Sequence, residues 1–144
     1  GASYCTLEKV KKEYIMCSEF AGAYTDEAAC LSYTRKLRLT DSRSKSVLVI
    51  EDVYELSERK ASDEIQFVTP GKVKVMEGGV LTIENEGEVL KMSYPTTLVP
   101  DVEEMKIEDN QLTRHWGNAL YAIRFKSAPD APVKGTYVFT CQMR

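Results

Sequence analysis

Apolar and polar residues alternate with a period of two along most of this chain, and that alternation restricts the fold more than any other feature. In the stretch LSYTRKLRLT (31–40) the apolar side chains fall on one face: Leu31, Tyr33, Leu37 and Leu39. Because successive side chains of a β-strand point to opposite faces, the pattern predicts a half-buried strand. The polar segment 41–46 interrupts it and the apolar run 47–50 follows, which predicts a hairpin with a longer loop.

The same alternation recurs in the rest of the chain. It predicts further strands at 73–75, 81–83, 90–94, 119–125 and 136–143. The glycine-containing segments 77–79 and 85–87 have the composition of turns. About ten short strands at this spacing predict an all-β fold, an antiparallel β-sandwich of two packed sheets with little helix. The residues expected to be largely buried are Leu31, Tyr33, Leu37, Leu39, Leu48, Ile50, Tyr121, Ile123, Phe125, Tyr137 and Phe139.

The start of the chain allows two interpretations. The charge spacing of TLEKVKKEYIMC (6–17) is compatible with a helix whose apolar stripe contains Leu7, Val10, Tyr14 and Cys17. The β-branched and aromatic residues later in that run favour a strand from about residue 13. We therefore expect a strand at 13–20, and the segment before it stays undecided.

Length and charge limit the classes of protein and partner. With 144 residues, no internal repeat and no change of composition, residues 1–144 are expected to form a single domain. A net charge of −3 lacks the concentrated basic field of a nucleic-acid binder. No apolar run approaches the ~20 residues that span a bilayer, so neither nucleic acid nor membrane is an expected partner. Gly1 in the place of a methionine predicts a processed or excised segment.

The four cysteines, Cys5, Cys17, Cys30 and Cys141, show no metal-binding spacing. They form no C-x-x-C pair, and one histidine cannot complete a finger-type zinc site, so no metal is expected. Two disulfides are possible, but a chain of this size does not need them. Buried free thiols on strands are the favoured interpretation, because Cys141 alternates with apolar residues of the last predicted strand.

No motif predicts a catalytic or cofactor-binding residue. MEGGV (76–80) lacks the lysine and helix of a phosphate-binding loop, and no serine stands in G-x-S-x-G. Acidic pairs such as Glu51–Asp52 are expected on solvated edges and turns, since adjacent strand residues point to opposite faces. The other acidic pairs are Glu103–Glu104 and Glu108–Asp109. The basic residues of 35–45 are split across two faces and give only a weak hint of an acidic polymer: Arg35, Lys36, Arg38, Arg43 and Lys45.

The stretch RHWGNALYAI (114–123) contains the chain's only histidine and only tryptophan. Arg114, His115 and Trp116 are candidates for glycan contact, since an indole stacks on a pyranose and a cation binds a carboxylate or sulfate. The favoured alternative is structural. In it Trp116 packs at the base of a strand, Gly117 shapes a turn and His115 makes a local hydrogen bond.

Two segments carry a family resemblance. CLSYTRKLRLTDSRSKSVLVIEDVYEL (30–56) and the later LTRHWGNALYAIRF (112–125) resemble the β-rich C-terminal part of the heparinase II/III-like polysaccharide lyases. The similar features are Ala23–Tyr24, an arginine-bearing strand at Arg35, a V-x-D hairpin partner at 50–53, and a late W-G followed by an L-Y-x-I strand. The resemblance extends from about residue 20 to the C-terminus.

The resemblance implies a parent enzyme that cleaves uronic-acid-containing polysaccharides by β-elimination. A base takes the proton at C5, the glycosidic oxygen leaves C4, and a neutraliser of the uronate carboxylate makes that proton acidic. In the family, the catalytic Tyr, Asn and His lie on an N-terminal α/α toroid and at the start of the sandwich, before the segment that matches here. The H-N-T motif is absent and His115 stands in another context, so the resemblance transfers no catalytic residue; nor can one histidine form the family's zinc site.

Two functions of different class follow. In the first, the chain is the non-catalytic C-terminal β-sandwich portion of such a lyase and supports the toroid and the glycan cleft. Its partners are then an acidic polysaccharide, through the parent, and the toroid, and its location is periplasmic or secreted. In the second, it is an independent module that binds carbohydrate or protein. Absence of lyase activity in the isolated chain is expected in both cases.

Overall fold

The computed structural model describes residues 4–143, which form eleven strands, one short α-helix and two 3₁₀ turns. The strands are β1 (Tyr4–Val10), β2 (Glu13–Glu19), β3 (Cys30–Asp41), β4 (Ser46–Leu56), β5 (Glu64–Thr69), β6 (Lys72–Met76), β7 (Val80–Asn85), β8 (Glu88–Ser93), β9 (Val99–Lys106), β10 (Ala119–Lys126) and β11 (Lys134–Met143). The helix α1 is Asn110–Trp116, and the 3₁₀ turns are Ala21–Ala23 and Asp26–Ala28.

The strands form two antiparallel sheets. The large sheet has the order β1-β2-β3-β4-β11-β8-β7-β6, and the small sheet has the order β5-β10-β9. Every recorded strand pair is antiparallel. The all-β sandwich prediction is confirmed, and so is the hairpin of β3 and β4 around the polar segment 41–46.

The core lies between the two sheets and is centred on aromatic rings. Phe125 of β10 and Phe139 of β11 are fully buried, with ring centroids 5.1 Å apart. Phe67 of β5 packs against both rings at 5.9 and 5.1 Å with near-perpendicular planes, the edge-to-face geometry that the aromatic quadrupole favours. Tyr94 adds a fourth ring 5.1 Å from Phe125. This cluster joins the sheets across the sandwich.

Most of the residues predicted to form the core are buried or half-buried, but two of them are exposed. The buried members are Ile50, Ile123, Phe125, Tyr137 and Phe139, while the half-buried members are Tyr33, Leu37, Leu48 and Tyr121. Leu31 is 60% exposed because a register shift between Cys30 and Ser32 removes it from the alternation. Leu39 is 38% exposed because β3 lies in a part of the large sheet that the three-stranded sheet does not fully cover.

The helical alternative for the start of the chain is wrong, and the strand at 13–20 is confirmed. β1 and β2 form a hairpin in which Val10 lies opposite Glu13, and Lys11 takes a φ of 56° at the turn. The two strands carry enough β-branched and aromatic side chains to favour pairing over an isolated amphipathic helix. The turn prediction for MEGGV is also confirmed, since Gly78 and Gly79 have φ of 78° and 76° between β6 and β7.

All four cysteines are free and lie on strands, as predicted. Cys141 is buried, Cys17 and Cys30 are half-buried, and Cys5 is exposed. The prediction of burial is wrong for Cys5, because β1 is the edge strand of the large sheet and has a neighbouring strand, β2, on one side only. Across the same residues, no helix has the length and apolar character to cross a bilayer.

Candidate functional site

The predicted glycan-contacting residues lie on α1. Asp109 caps this helix, since its Oδ1 accepts from the backbone N–H groups of Gln111 and Leu112 at 2.8 and 3.1 Å. The helix ends at Gly117, whose φ of 80° is in the region that favours glycine. The Gly117 N–H donates to the Thr113 carbonyl at 3.0 Å. The turn prediction for Gly117 is therefore confirmed, although a helix rather than a strand precedes it.

Trp116 is the last residue of α1 and half of its surface is exposed, so its predicted role as a core anchor at the base of a strand is wrong. Arg114 and His115 are also exposed. Within the described residues the His115 ring has no protein hydrogen-bond partner, contrary to the prediction. Asp109 was the sequence signal for this helix: an Asp before N-Q-L-T is a typical N-cap. The indole of Trp116 lies on the surface because the helix that begins there ends at Trp116.

A buried ion pair lies inside the sandwich at Arg35 and Asp52. Asp52 is fully buried, and its Oδ1 and Oδ2 accept from Arg35 Nε and Nη2 at 2.7 Å each. Tyr33 Oη donates to Oδ2 at 2.6 Å, and the Arg35 guanidinium lies 5.5 Å from the Phe67 ring centroid. The prediction of a solvated carboxylate is wrong for Asp52, and the prediction of a surface position is wrong for Arg35, because both side chains point to the inner face.

A second polar cluster surrounds Arg59. Its Nη1 and Nη2 donate to the two Asp63 carboxylate oxygens at 2.9 and 3.0 Å, and Nη2 also donates to the Pro132 carbonyl at 2.7 Å. Tyr137 Oη donates to Asp63 at 2.7 Å, and the Tyr137 ring stacks on Tyr54 at 5.2 Å. The cluster ties the loop before β5 to the loop before β11. Sequence reasoning missed it because Pro132 lies 73 residues from Arg59, and Tyr137 lies 74 residues from Asp63, in the chain.

A cavity of about 280 Å³ lies between the two clusters. Four tyrosines line it: Tyr24, Tyr33, Tyr54 and Tyr137. Three of their hydroxyls are engaged, with Tyr33 bonded to Asp52, Tyr137 to Asp63, and Tyr54 to the Pro132 carbonyl at 2.9 Å. No buried side-chain polar atom in residues 4–143 lacks a partner. Glu27, Lys60, Ser62 and Glu64 also line the cavity, so it offers a ligand aromatic surface together with charged and polar side chains.

The two tyrosines bonded to the ionic clusters are poor proton acceptors. Burial and the neighbouring Asp52 carboxylate raise the pKa of Tyr33 well above its usual range. Burial, with hydrogen bonds to Tyr54 and Asp63, raises the pKa of Tyr137 in the same way. Both phenols stay protonated at neutral pH, and arginines hold the Asp52 and Asp63 carboxylates, so none of these four groups is suited to act as a general base. The Glu27 and Glu64 carboxylates also line the cavity.

The structure does not bring the predicted contact residues together with the cavity, whose lining excludes 114–116. The remaining predicted charges are dispersed: Arg38 pairs with Glu13 at 3.3 Å, and Glu103 pairs with Arg124. Among residues 4–143 no three His, Cys, Asp or Glu side chains are gathered in a way that would hold a metal ion.

The described residues thus define an all-β sandwich with two internally paired ionic clusters around a tyrosine-lined cavity. No protein-family model matches this chain, and no curated protein matches its sequence.

Proposed function

We propose that this chain is the non-catalytic C-terminal β-sandwich portion of a heparinase II/III-like polysaccharide lyase, where it supports the toroid and one side of the glycan cleft. One observation carries the proposal. Three features on which the resemblance depends, Tyr24, Arg35 and Asp52, meet around a fourth residue, Tyr33. The Tyr24 and Tyr33 ring centroids are 6.1 Å apart, and Tyr33 and Arg35 both donate to Asp52.

Because Tyr24, Arg35 and Asp52 lie together in the fold, the sequence features of the resemblance have a common structural explanation. Tyr24 belongs to the connection before β3, Arg35 to β3, and Asp52 to β4. Arg35 and Asp52 are register partners, and the Arg35 guanidinium compensates the charge of the fully buried Asp52 carboxylate. The resemblance therefore includes a pair of residues that joins two strands of the sandwich, which supports a scaffolding role.

The chemistry of the cavity supports the non-catalytic part of the proposal. Elimination next to a uronate needs a base and a neutraliser of the carboxylate, each worth a factor of about 10² or more in rate. Here Arg35 and Arg59 are occupied by Asp52 and Asp63, and the phenols of Tyr33 and Tyr137 hold their protons. In the proposal, the parent enzyme's toroid and the start of its β-sandwich supply these groups, and the parent enzyme binds the acidic polysaccharide. The location is then periplasmic or secreted.

The first test is an elimination assay on the purified chain. Heparin, heparan sulfate, hyaluronan and alginate are incubated with residues 1–144, and the ultraviolet absorbance of unsaturated uronates is followed. We expect no turnover, and clear turnover would overturn the non-catalytic assignment. A second test is the reading frame upstream of Ala2. An in-frame helical region of toroid size supports the proposal, and a stop codon followed by a start directly before Ala2 contradicts it.

The exposed Trp116 favours a second candidate function, an independent carbohydrate-binding module. Because Trp116 is the only tryptophan, its fluorescence reports on α1 alone. A saturable shift on titration with heparin, weakened in Arg114→Ala and unchanged in the distant Arg43→Ala, would support this candidate. A spectrum that heparin leaves unchanged would exclude heparin as its ligand at α1.

A further inference from the structure

The strands β1, β2 and β3, here called the arm, extend the large sheet beyond the small one. Pairing across the large sheet aligns one row of side chains on its inner face: Phe139, Ile50, Leu37, Met16 and Leu7. The first two are buried in the core. Met16 is 37% exposed and Leu7 is 73% exposed. The row therefore continues the core outward onto a face that nothing in residues 4–143 covers.

The inner face of the arm carries adjacent apolar side chains, whereas charged side chains are interspersed among apolar ones on its outer face. On the inner face, Tyr14 and Leu39 form a second row beside Met16 and Leu7, and both are more than a third exposed. The Lys9 ammonium on this face lies 5.1 Å from the Tyr14 ring centroid. The outer face carries these charged and apolar side chains: Glu8, Glu13, Glu19, Lys36, Arg38, Val10, Ile15 and Cys17. An exposed patch of adjacent apolar side chains is a candidate for burial against a partner.

The second layer ends above β3. Phe67 of β5 contacts Phe139 of β11 and lies over Arg35 of β3, and β5 is the edge strand of the small sheet. Beyond β5 the layer lacks strands over β2 and β1. Two strand edges border this gap, β5 in the second layer and β1 in the first. An edge strand presents a row of unpaired N–H and C=O groups that favours pairing with another strand.

We infer that a second copy of this chain fills the gap, arm over arm. With a two-fold axis between the layers, the arm of each copy becomes the missing second layer of the other. The inner rows of Leu7 and Met16 then face their equivalents, and β1 of each copy lies beside β5 of the other. The contact is isologous, so one symmetric arrangement covers both apolar faces and both strand edges.

Other pairings of two copies leave the gap in place. Joining β1 to its equivalent in one plane gives a wider sheet whose inner face stays uncovered. Joining β5 to its equivalent is blocked, because each arm would occupy the space of the other copy's large sheet. Of these three pairings, the arm-over-arm arrangement is the one that removes the apolar face from water.

The size of the contact predicts a weak affinity. The two uncovered strands, about 4.8 Å apart and seven residues long at about 3.4 Å per residue, give a face of about 10 by 24 Å. The two faces and the two β1–β5 strand pairs together stay below the roughly 1,000 Å² of a stable specific interface, which is the size of a transient contact. Dimerisation is therefore expected to be weak and reversible. The inference uses the arm and β5 of this chain and does not rest on the proposed lyase function.

The experiment is sedimentation velocity of residues 1–144 from low to high micromolar concentration. We expect a reversible monomer–dimer equilibrium that Leu7→Lys weakens at least tenfold. Val99→Lys is the matched control, since Val99 is 68% exposed on β9, outside the arm. Leu7 touches little of the core, so circular dichroism of both variants should match the wild type. A monomer at all concentrations, or a dimer that Leu7→Lys leaves intact, would overturn the inference.

Hydrogen exchange distinguishes the arrangement from other dimers. As concentration rises, the amides of β1 and β5 should both gain protection, while those of β6, the opposite edge of the large sheet, should not change. Protection of β1 without β5 would mean in-plane pairing and would overturn the arm-over-arm arrangement.

Discussion

Arg35 and Asp52 lie opposite each other on β3 and β4, and the guanidinium donates to both carboxylate oxygens at 2.7 Å. The carboxylate is fully buried while the guanidinium keeps partial access to solvent. A bidentate pair of this kind fixes the relative position of two strands more strictly than apolar contacts do. It also makes each partner depend on the other, since a buried charge without its partner is costly.

Replacement of Asp52 by alanine should destabilise the fold severely. The change leaves the Arg35 guanidinium and the Tyr33 hydroxyl without their acceptor, and we expect a loss of about 3–5 kcal/mol in the free energy of unfolding. Urea denaturation measures it. Glu51→Ala is the control, because Glu51 points to the outer face, and it should cost under about 1 kcal/mol.

The double variant Arg35→Met/Asp52→Leu separates the cost of an unpaired charge from the loss of the ion pair itself. Apolar replacement of both partners removes the charges together, so it should recover the part of the Asp52→Ala loss that comes from the unpaired guanidinium, although the Tyr33 hydroxyl still lacks its acceptor. Equal losses for Asp52→Ala and Glu51→Ala would show that the ion pair does not hold the strands together.

Arg59→Ala should detach the loop before β11. Arg59 binds Asp63 with two nitrogens and reaches the carbonyls of Ala131 and Pro132, so its removal leaves several acceptors unpaired. We expect a cost of about 2–4 kcal/mol by urea denaturation. The neighbouring Lys60→Ala is the control, since Lys60 is exposed and pairs only with Glu58 at 3.4 Å. Similar costs for both variants would contradict the anchoring role.

Alkaline pH should weaken the fold from about pH 9 upward. Burial raises the pKa of the Cys141 thiol from 9.0 to about 11. Below pH 9 the thiol is protonated in both states, whereas between 9 and 11 only the unfolded chain releases its proton. The free energy of unfolding should then fall by about 1.4 kcal/mol per pH unit from this group. The raised pKa values of Tyr33 and Tyr137 add to the loss above pH 10.

Urea midpoints measured below and above pH 9 test this dependence. Cys141→Ala should flatten the decline between pH 9 and 11, and Cys5→Ala, which removes an exposed thiol, should not. An identical decline in the wild type and in Cys141→Ala would rule out the thiol as its source.

Local alternation predicted the strands well, because the positions of Ile123 and Phe125 follow from period two alone. Alternation could not predict which faces the second sheet covers, so the exposure of Leu39 was not predicted. The Arg35–Asp52 pair was missed because alternation classes charged residues as solvated, while strand register decides their partner. The helix α1 was missed because one Asp cap over seven residues gives a weaker signal than the strands on either side.

Trp116→Ala should cost little stability, in contrast to truncation of a core ring. Half of the indole is exposed on a seven-residue helix, so its removal should cost about 1 kcal/mol or less. Phe125→Ala removes a fully buried ring that contacts Phe67, Tyr94 and Phe139, and it should cost about 3–5 kcal/mol. Thermal melting of the two variants beside the wild type measures the difference. A drop in melting temperature for Trp116→Ala as large as that for Phe125→Ala would mean that the indole is part of the packing after all. A small drop leaves the exposed ring free for a surface role, which the heparin titration then examines.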